Sequence, residues 1–270
     1  MLDLKLEGKR ALVTGSSSGI GESIARLLAQ AGAAVVVHGR NAERAERVAA
    51  DINKQKGGRA RVALGDLAGE EGAARVASRT LETLGGIDIL VNNAGGADEG
   101  MKPWFETPID EWKDVFEQNV FSAVRLIRLL VPRMKESGWG RVIQISSGAA
   151  SQPLAIGAGY AAAKAAVVNT TVSLAKDLAG TGITVNTVSP GPILTPISER
   201  VFRDLAKQNG WGEEWAEIER QAVKFVPTLV GRLGRVEEVA AAVAFLASPL
   251  AGFVNGANLR VDGGYVTAIN

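Results

Sequence analysis

The sequence contains no cysteine and a single histidine, His38. The absence of cysteine excludes disulfides, thiolate metal sites and cysteine nucleophiles, and a lone histidine excludes a histidine-rich metal site. It also leaves only one candidate for a Ser-His-Asp triad. Most hydrolase and zinc mechanisms are therefore excluded, and we predict no metal site.

The chain also lacks an excess of charge and a long apolar run. Thirty Lys and Arg stand against 29 Asp and Glu, so the charge balance gives no reason to expect a nucleic acid partner. A bilayer helix needs about 20 mostly apolar residues, whereas the uncharged stretch 239–259 is interrupted by Ser248-Pro249, Gly252 and Asn255. The charged start, MLDLKLEGKR, has no signal-peptide core. We expect a cytoplasmic protein with no membrane partner.

Short runs rich in Val and Ile alternate with longer Ala-rich segments of helical period, which is the pattern of repeated strand–helix units. At 270 residues, 46% of them apolar, the chain fits one large domain. The predicted strands are residues 10–14, 34–38, 60–64, 87–91, 141–146, 184–189 and 258–261. We predict a Rossmann-like α/β fold, a doubly wound, seven-stranded parallel sheet with helices on both faces, and ligands beyond the carboxyl ends of its strands.

One segment, residues 192–227, departs from this alternation within the single domain 1–270. Its aromatic side chains stand among many charges and need apolar cover. They are Phe202, Trp211, Trp215 and Phe225. Because the segment follows a strand end, we interpret it as a helical insertion that forms a substrate lid; the alternative is an ordinary helical hairpin packed on the body.

The first predicted strand runs directly into a glycine-rich turn and then a helical pattern. The turn reads Thr14-Gly15-Ser16-Ser17-Ser18-Gly19-Ile20-Gly21. Glycines permit a tight bend and let backbone N–H groups approach a pyrophosphate at a helix N-terminus. The spacing Gly-x-x-x-Gly-x-Gly differs from the Gly-x-Gly-x-x-Gly of the common dinucleotide fingerprint.

The end of the second predicted strand bears on the choice of cofactor. An acidic residue about 20 positions past the glycines would bind the ribose of NAD, but Gly39 stands there and Arg40 follows it. A guanidinium pairs with a 2′-phosphate through charge-assisted hydrogen bonds. The residues therefore favour NADP(H) over NAD(H), unless Arg40 pairs with Glu43. We interpret His38 as a packed strand-end residue and not a catalytic one.

Further motifs follow in order along nearly the whole chain. Asn92-Asn93-Ala94-Gly95 comes after the fourth strand, Ser147 precedes Tyr160 by thirteen residues, Lys164 follows it by four, and Pro190-Gly191 comes after the sixth strand. With the glycine turn, this pattern resembles the short-chain dehydrogenase/reductase family, which implies a nicotinamide-dependent oxidoreductase. The residues and the resemblance together predict cofactor contacts from Gly15, Ser17, Ser18, Gly19, Ile20, Gly21, Arg40, Asp66, Leu67, Asn93, Ala94, Gly95, Tyr160, Lys164, Pro190, Gly191, Ile193 and Thr195.

Four residues are predicted to be catalytic. Tyr160 and Lys164 are one turn apart in the predicted helix 160–179, so they share a face. We expect Tyr160 to supply the proton that an alkoxide needs, with Lys164 and the positive charge of an oxidised nicotinamide bringing its pKa toward working pH. Ser147 is expected to hold the substrate oxygen, because its spacing to Tyr160 matches the family and strand alternation sends Ser146 to the other side. By resemblance, Asn119 in the predicted helix 110–134 completes a water-linked proton relay with the lysine.

The substrate pocket is predicted from residues 96–105, 149–158 and 193–225. Its proposed contacts are Trp104, Ser147, Leu154, Tyr160, Phe202, Trp211 and Trp215. This inventory indicates a small apolar ketone or alcohol, although fold and motif do not define the pocket.

Two other functions are left open. One is 3-oxoacyl carrier protein reductase, which we disfavour because Gly138 and Thr181 stand where those reductases often carry arginines, with Arg133, Lys135 and Arg141 nearby as a substitute patch. The other is a nucleotide-binding regulatory protein without turnover. The apolar helices 110–134 and 160–179 and the tail 259–270 lead us to expect a homotetramer, with a dimer as the alternative.

Overall fold

A computed structural model of the chain describes residues 3–96 and 101–268. Its strands in this part of the chain are β1 (Arg10–Val13), β2 (Ala34–Gly39), β3 (Arg59–Leu64), β4 (Ile89–Asn92), β5 (Gly140–Ile145), β6 (Ile183–Pro190), β7 (Ile193–Leu194), β8 (Gly234–Arg235) and β9 (Asn258–Val261). Seven of them form one parallel sheet in the order β3-β2-β1-β4-β5-β6-β9. The chain therefore starts at a central strand and winds outward in both directions, as predicted.

The helices cover both faces of this sheet. They are α1 (Gly19–Gln30), α2 (Ala42–Asn53), α3 (Glu70–Leu84), α4 (Ile109–Phe116), α5 (Ser122–Ser137), α6 (Ala158–Asp177), α7 (Pro196–Asn209), α8 (Trp215–Phe225) and α9 (Val236–Ala247). Successive β2 residues show the two faces directly: Val35 and Val37 join the core with α1, α2 and α9, while Val36 joins the core with α3, α5 and α6. Two buried faces explain why the strands are continuous apolar runs.

Three features differ from the sequence prediction. Strand ends shift by one or two residues. The predicted helix 110–134 is interrupted by a π-helical turn, Glu117–Phe121, between α4 and α5. The short pair β7 and β8 forms a second sheet that was not predicted. Residues 192–227 contain the helices α7 and α8; that they form an inserted lid stays a prediction.

Among the described helices, none is long and apolar enough to cross a bilayer.

Candidate active site

The glycine turn lies between β1 and α1, against the end of β4. Gly15 has φ +61°, and a Cβ on Gly21 would lie 2.4 Å from the Gly15 carbonyl oxygen, so neither position accepts another residue without strain. The Thr14 hydroxyl accepts hydrogen bonds from the N–H groups of Asn93 and Ala94, at 2.9 and 2.8 Å. The turn and the Asn-Asn-Ala-Gly segment are therefore one connected structure.

A cavity of about 310 Å³ opens beside this turn at the end of β2. The predicted cofactor residues that line it are Gly15, Ser17, Ser18, Arg40, Asp66, Leu67, Asn93, Ala94 and Gly95. Its floor includes the buried Leu67, while Asp66 is exposed and its carboxylate accepts a hydrogen bond from the Ala68 N–H at 3.0 Å. The cavity thus combines an apolar surface with polar edges, as an adenosine requires.

Two arginines lie at the rim of this cavity. Asn41 caps α2 by accepting a hydrogen bond from the Arg44 N–H at 2.9 Å, and this places Arg44 beside Arg40 in the lining. Neither guanidinium forms an ion pair within residues 3–96 and 101–268, so the alternative pairing of Arg40 with Glu43 is not found. Packing also explains why glycine occupies position 39, since a Cβ there would lie 2.9 Å from the Ser17 Oγ.

A second cavity, of about 320 Å³, contains the residues predicted to be catalytic on β5 and α6. Ser147, Tyr160 and Lys164 line it together with predicted cofactor residues, namely Gly15, Ser18, Gly19, Ile20, Asn93, Gly95, Pro190, Gly191, Ile193 and Thr195. Both cavities are lined by Gly15, Ser18, Asn93 and Gly95. They form one cleft along the carboxyl edge of the sheet.

Burial shifts the pKa values of the two titratable residues at the centre of this cleft, Lys164 and Tyr160. The Lys164 ammonium donates to the Ile145 carbonyl at 3.0 Å, and burial lowers the pKa of Lys164 to about 8. Burial raises the pKa of the Tyr160 phenol, while the Ser147 hydroxyl acts in the opposite direction. The Lys164 Nζ is directed to a carbonyl and lies 5.6 Å from the centre of the tyrosine ring. That Lys164 and an oxidised nicotinamide together lower the pKa of Tyr160 stays a prediction.

The two serines after β5 have different surroundings. Ser146 is buried and donates to the Lys164 carbonyl at 2.8 Å. Ser147 is only partly buried, and its Oγ accepts a hydrogen bond from the Ala149 N–H at 3.2 Å. The Ser147 hydroxyl proton is therefore available to an acceptor in the cleft.

Asn119 lies in the π-helical turn and is buried. Its amide nitrogen donates to the carbonyls of Gly96 and Val115, each at 2.9 Å, and its Oδ1 accepts a hydrogen bond from the Gly96 N–H at 3.1 Å. The side chain thus fixes the segment that follows the Asn-Asn-Ala-Gly motif. Gly95, the last residue of the motif, lies close to the lysine, since a Cβ on it would be 3.4 Å from the Lys164 Nζ. With its carboxamide engaged in this way, Asn119 is placed to position the loop.

The predicted aromatic substrate contacts lie outside the described lining of the second cavity. Trp104 packs edge-to-face on Trp112, with centroids 5.1 Å apart. Trp211 packs on Phe225 at 5.3 Å, and Arg203 lies 5.3 Å from the ring of Trp215. Phe202 is half-buried in α7, and Leu154 is exposed. Apolar lining comes instead from Ile193, Pro196 and Ile197. Residues 97–100 of the predicted pocket lie outside the described residues.

The sequence did not single out Arg44, and it covered Ile197 only through the predicted range 193–225. Arg44 could have been found from its position one helical turn after Arg40, with Asn41 as the N-cap between them. Ile197, which is 72% exposed, carries no comparable signal, because single exposed apolar residues are common.

Comparisons with known proteins agree with this geometry. A family model described as Enoyl-(Acyl carrier protein) reductase matches residues 15–266. An uncharacterised oxidoreductase of Bacillus subtilis is 40% identical over 99% of this chain and 100% of its own. The 7alpha-hydroxysteroid dehydrogenase of Escherichia coli is 38% identical over 99% and 98%. The chain belongs to the short-chain dehydrogenase/reductase family, and it is an NAD(P)-dependent enzyme acting on alcohol or carbonyl groups.

A solved structure bears on the cofactor. L-sorbose reductase from Gluconobacter frateurii, in complex with NADPH and L-sorbose, is 34% identical with a TM-score of 0.94, covering 99% of this chain and 100% of its own. The hydroxysteroid dehydrogenase complex, with TM-score 0.84, carries NADH. The similarity therefore establishes a nicotinamide cofactor and leaves the choice between the two forms to this chain's own residues.

Proposed function

We propose that the protein is an NADP(H)-dependent reductase or dehydrogenase acting on a small apolar ketone or the corresponding secondary alcohol. The observation that supports this best is the continuous cleft, in which the glycine turn and the Ser147, Tyr160 and Lys164 side chains line one space. The apolar lining by Ile193, Pro196 and Ile197 supports an apolar substrate.

In this proposal the cofactor, when bound, supplies or accepts the hydride. The Ser147 hydroxyl donates a hydrogen bond to the substrate oxygen and holds it near Tyr160. Tyr160 donates its proton to that oxygen as negative charge develops there. Burial raises the pKa of Tyr160, so the phenol is protonated at neutral pH, and positive charge nearby is needed to bring that pKa toward working pH. Lys164 places a positive charge near Ser147 and Tyr160. Asn119 holds the segment that follows the Asn-Asn-Ala-Gly motif.

The alternative substrate is an acyl chain on a carrier protein, a class that the matching family model names. Gly138 and Thr181 lie at the amino ends of β5 and β6, at the opposite edge of the sheet from Ser147. Nearby, Arg133 pairs with Glu136 at 3.0 Å and Lys135 with Asp177 at 3.9 Å. This patch lies away from the cleft and its charges are partly compensated, so it offers an acidic carrier protein little attraction toward Ser147, which supports a free ketone.

The test is NADPH consumption with a panel of free ketones and an acetoacetyl carrier protein in one assay. We expect at least one free ketone to show a higher kcat/KM than the carrier-bound substrate. The reverse ranking would assign the carrier-protein function. Tight NADPH binding with no turnover on any carbonyl compound would instead support the regulatory alternative.

For the cofactor, we propose that Arg40 and Arg44 bind the 2′-phosphate of NADP(H). Replacing either by Leu should weaken NADP⁺ binding about tenfold, because each removes a charge-assisted hydrogen bond. NAD⁺ binding should be nearly unchanged, since NAD⁺ lacks that phosphate. Calorimetric titration of both nucleotides at fixed ionic strength measures the difference directly.

Introducing Gly39→Asp for the same purpose is a poorer test, because the new side chain meets Ser17. Equal or tighter binding of NAD⁺ by the unmutated protein would contradict the assignment.

We also propose a homotetramer in the cytoplasm, and a lid role for residues 192–227.

A further inference from the structure

The only histidine of the chain joins two sides of the nucleotide cavity. His38 is 3% exposed near the end of β2. Its Nδ1 accepts a hydrogen bond from the Gly15 N–H in the glycine turn at 3.0 Å. Its Nε2 lies 3.1 Å from the carbonyl of Gly65, which follows β3 beside Asp66. One ring thus spans from the phosphate-binding turn to the adenine side of the cavity.

These partners permit one protonation state. A backbone N–H can only donate, so Nδ1 must be bare, and a carbonyl can only accept, so Nε2 must carry the proton. The neutral Nε2–H tautomer satisfies both. In the imidazolium, the Nδ1 proton would face the Gly15 N–H and that hydrogen bond would be lost.

The backbone of His38 reinforces the same connection. The His38 N–H donates to the Ser16 Oγ, and the Ser16 N–H donates to the His38 carbonyl, both at 2.9 Å. The turn is therefore attached in two ways. The hydrogen bonds between His38 and Ser16 do not depend on the protonation of the ring, whereas the hydrogen bond from Gly15 to the ring is lost when the ring is protonated. Gly15, which donates to the ring, is one of the two glycines with a left-handed backbone in the turn, the other being Gly19.

We propose that His38 is a positioning residue for cofactor binding: as a neutral imidazole it holds the phosphate-binding turn against the adenine side of the cavity, and its protonation weakens the cofactor complex. The inference rests on the proposed binding of NADP(H) in this cleft. His38 lines the cavity without bearing on hydride transfer, so its effect should fall on cofactor affinity and not on the chemical step.

The surroundings of the ring agree with this role. Burial lowers the pKa of His38, which keeps the ring neutral at physiological pH. The charged groups that act on it, in the described part of the chain, are Asp66 from the loop after β3, which favours protonation, and Arg40 at the end of β2, which opposes it. Proton uptake is therefore expected on the acid side of the ordinary histidine range.

The first experiment needs no ligand. Because the chain has one histidine, a ¹⁵N correlation spectrum of the whole protein shows a single imidazole without assignment. We expect a protonated Nε2 and a bare Nδ1 at neutral pH. A proton on Nδ1 would overturn the proposal.

The second experiment compares His38→Asn with the unmutated protein. The Asn Oδ1 can take the place of Nδ1 as acceptor for Gly15, but it does not titrate. The quantity is the ratio of the two dissociation constants for NADP⁺ at each pH, because the titration of the 2′-phosphate near about pH 6 cancels in that ratio. We expect a constant ratio at neutral and alkaline pH. Below the pKa of His38 the unmutated protein should lose affinity relative to the variant, approaching about tenfold per pH unit.

Two controls make the result specific. Ser16→Ala removes the acceptor of the His38 N–H and should weaken binding equally at every pH. His38→Leu should weaken NADP⁺ about tenfold at neutral pH, and His38→Asn should recover most of that loss. A flat ratio across the acid range in the folded protein contradicts the role of His38. Failure of the unmutated protein to bind either nucleotide at neutral pH contradicts the proposed function instead.

Discussion

At the scale of single residues, the buried charge of Lys164 lowers the stability of the folded protein. It is 4% exposed, and its contact to the Ile145 carbonyl is a hydrogen bond to a neutral group. The fall of its pKa from 10.5 to about 8 corresponds to about 3 kcal/mol of unfavourable burial of charge. We therefore expect this position to favour function over stability.

Replacing Lys164 by Met should raise the free energy of unfolding at pH 7 by about 2 kcal/mol, because an apolar side chain of similar length removes the buried charge and loses one hydrogen bond. The gain is present while the lysine is charged in the folded protein and diminishes as pH rises above about 8. Urea unfolding measured at pH 7 and at higher pH checks both statements. An equal or lower stability of the variant at pH 7 would show that the burial does not carry this cost.

The catalytic roles of single residues could be predicted from their chemistry, whereas roles that depend on a packing partner distant in sequence could not. Ser147 was distinguished from Ser146 by its family spacing to Tyr160 and by strand alternation, and the hydroxyls of the two serines have different hydrogen-bond partners. Trp211 and Trp215 were assigned to the substrate because aromatic side chains need apolar cover. That cover comes from Phe225 and Arg203 within the insertion, contacts that no local pattern indicates.

At the scale of elements, the seven-stranded parallel sheet followed from the apolar runs, but two local features did not. The π-helical turn at Glu117–Phe121 adds a residue to a helix turn without changing the period of the flanking segments enough to be seen. The pair β7 and β8 joins residues about 40 positions apart over two residues each, and so short a pairing leaves no period-two pattern.

The two helices of the insertion are attached differently. Glu219 on α8 accepts hydrogen bonds from Arg235 at 2.7 Å and from the Leu233 N–H at 3.2 Å, which ties α8 to the body. Helix α7 buries only Ala206, and the Thr195 side chain caps its N-terminus by accepting a hydrogen bond from the Ser198 N–H at 3.2 Å. If residues 192–227 close over a substrate, we expect α7 to move. Its pivot would be the N-cap residue Thr195, which lines the cleft.

At the scale of the whole molecule, large apolar side chains are exposed on surfaces away from the cleft. Phe253 is fully exposed, Leu129 on α5 is 40% exposed and Val172 on α6 is 39% exposed. Leu129 and Val172 lie on α5 and α6, within the two helical segments from which the sequence predicts association, so we expect subunits of the proposed tetramer to meet there.

Light scattering at micromolar concentration should therefore give about four times the mass of one chain. Leu129→Asp and Phe253→Asp should each lower that mass, because a buried carboxylate without a partner is unfavourable at an interface. Val201→Asp, at an exposed position on α7 outside the helices and the tail from which association is predicted, serves as the control and should leave the mass unchanged. A monomeric mass for the unmutated protein would contradict the assembly.

The central claim is that this cleft transfers a hydride with Tyr160 as the proton donor. The most direct measurement is the rate of NADPH oxidation with the best ketone of the panel, for the unmutated protein and for Tyr160→Phe, together with the NADPH dissociation constant of each. The account predicts that kcat falls by about 100-fold to 10,000-fold while the dissociation constant stays the same, since only the hydroxyl is removed. A variant that binds NADPH normally and keeps most of its kcat would contradict it.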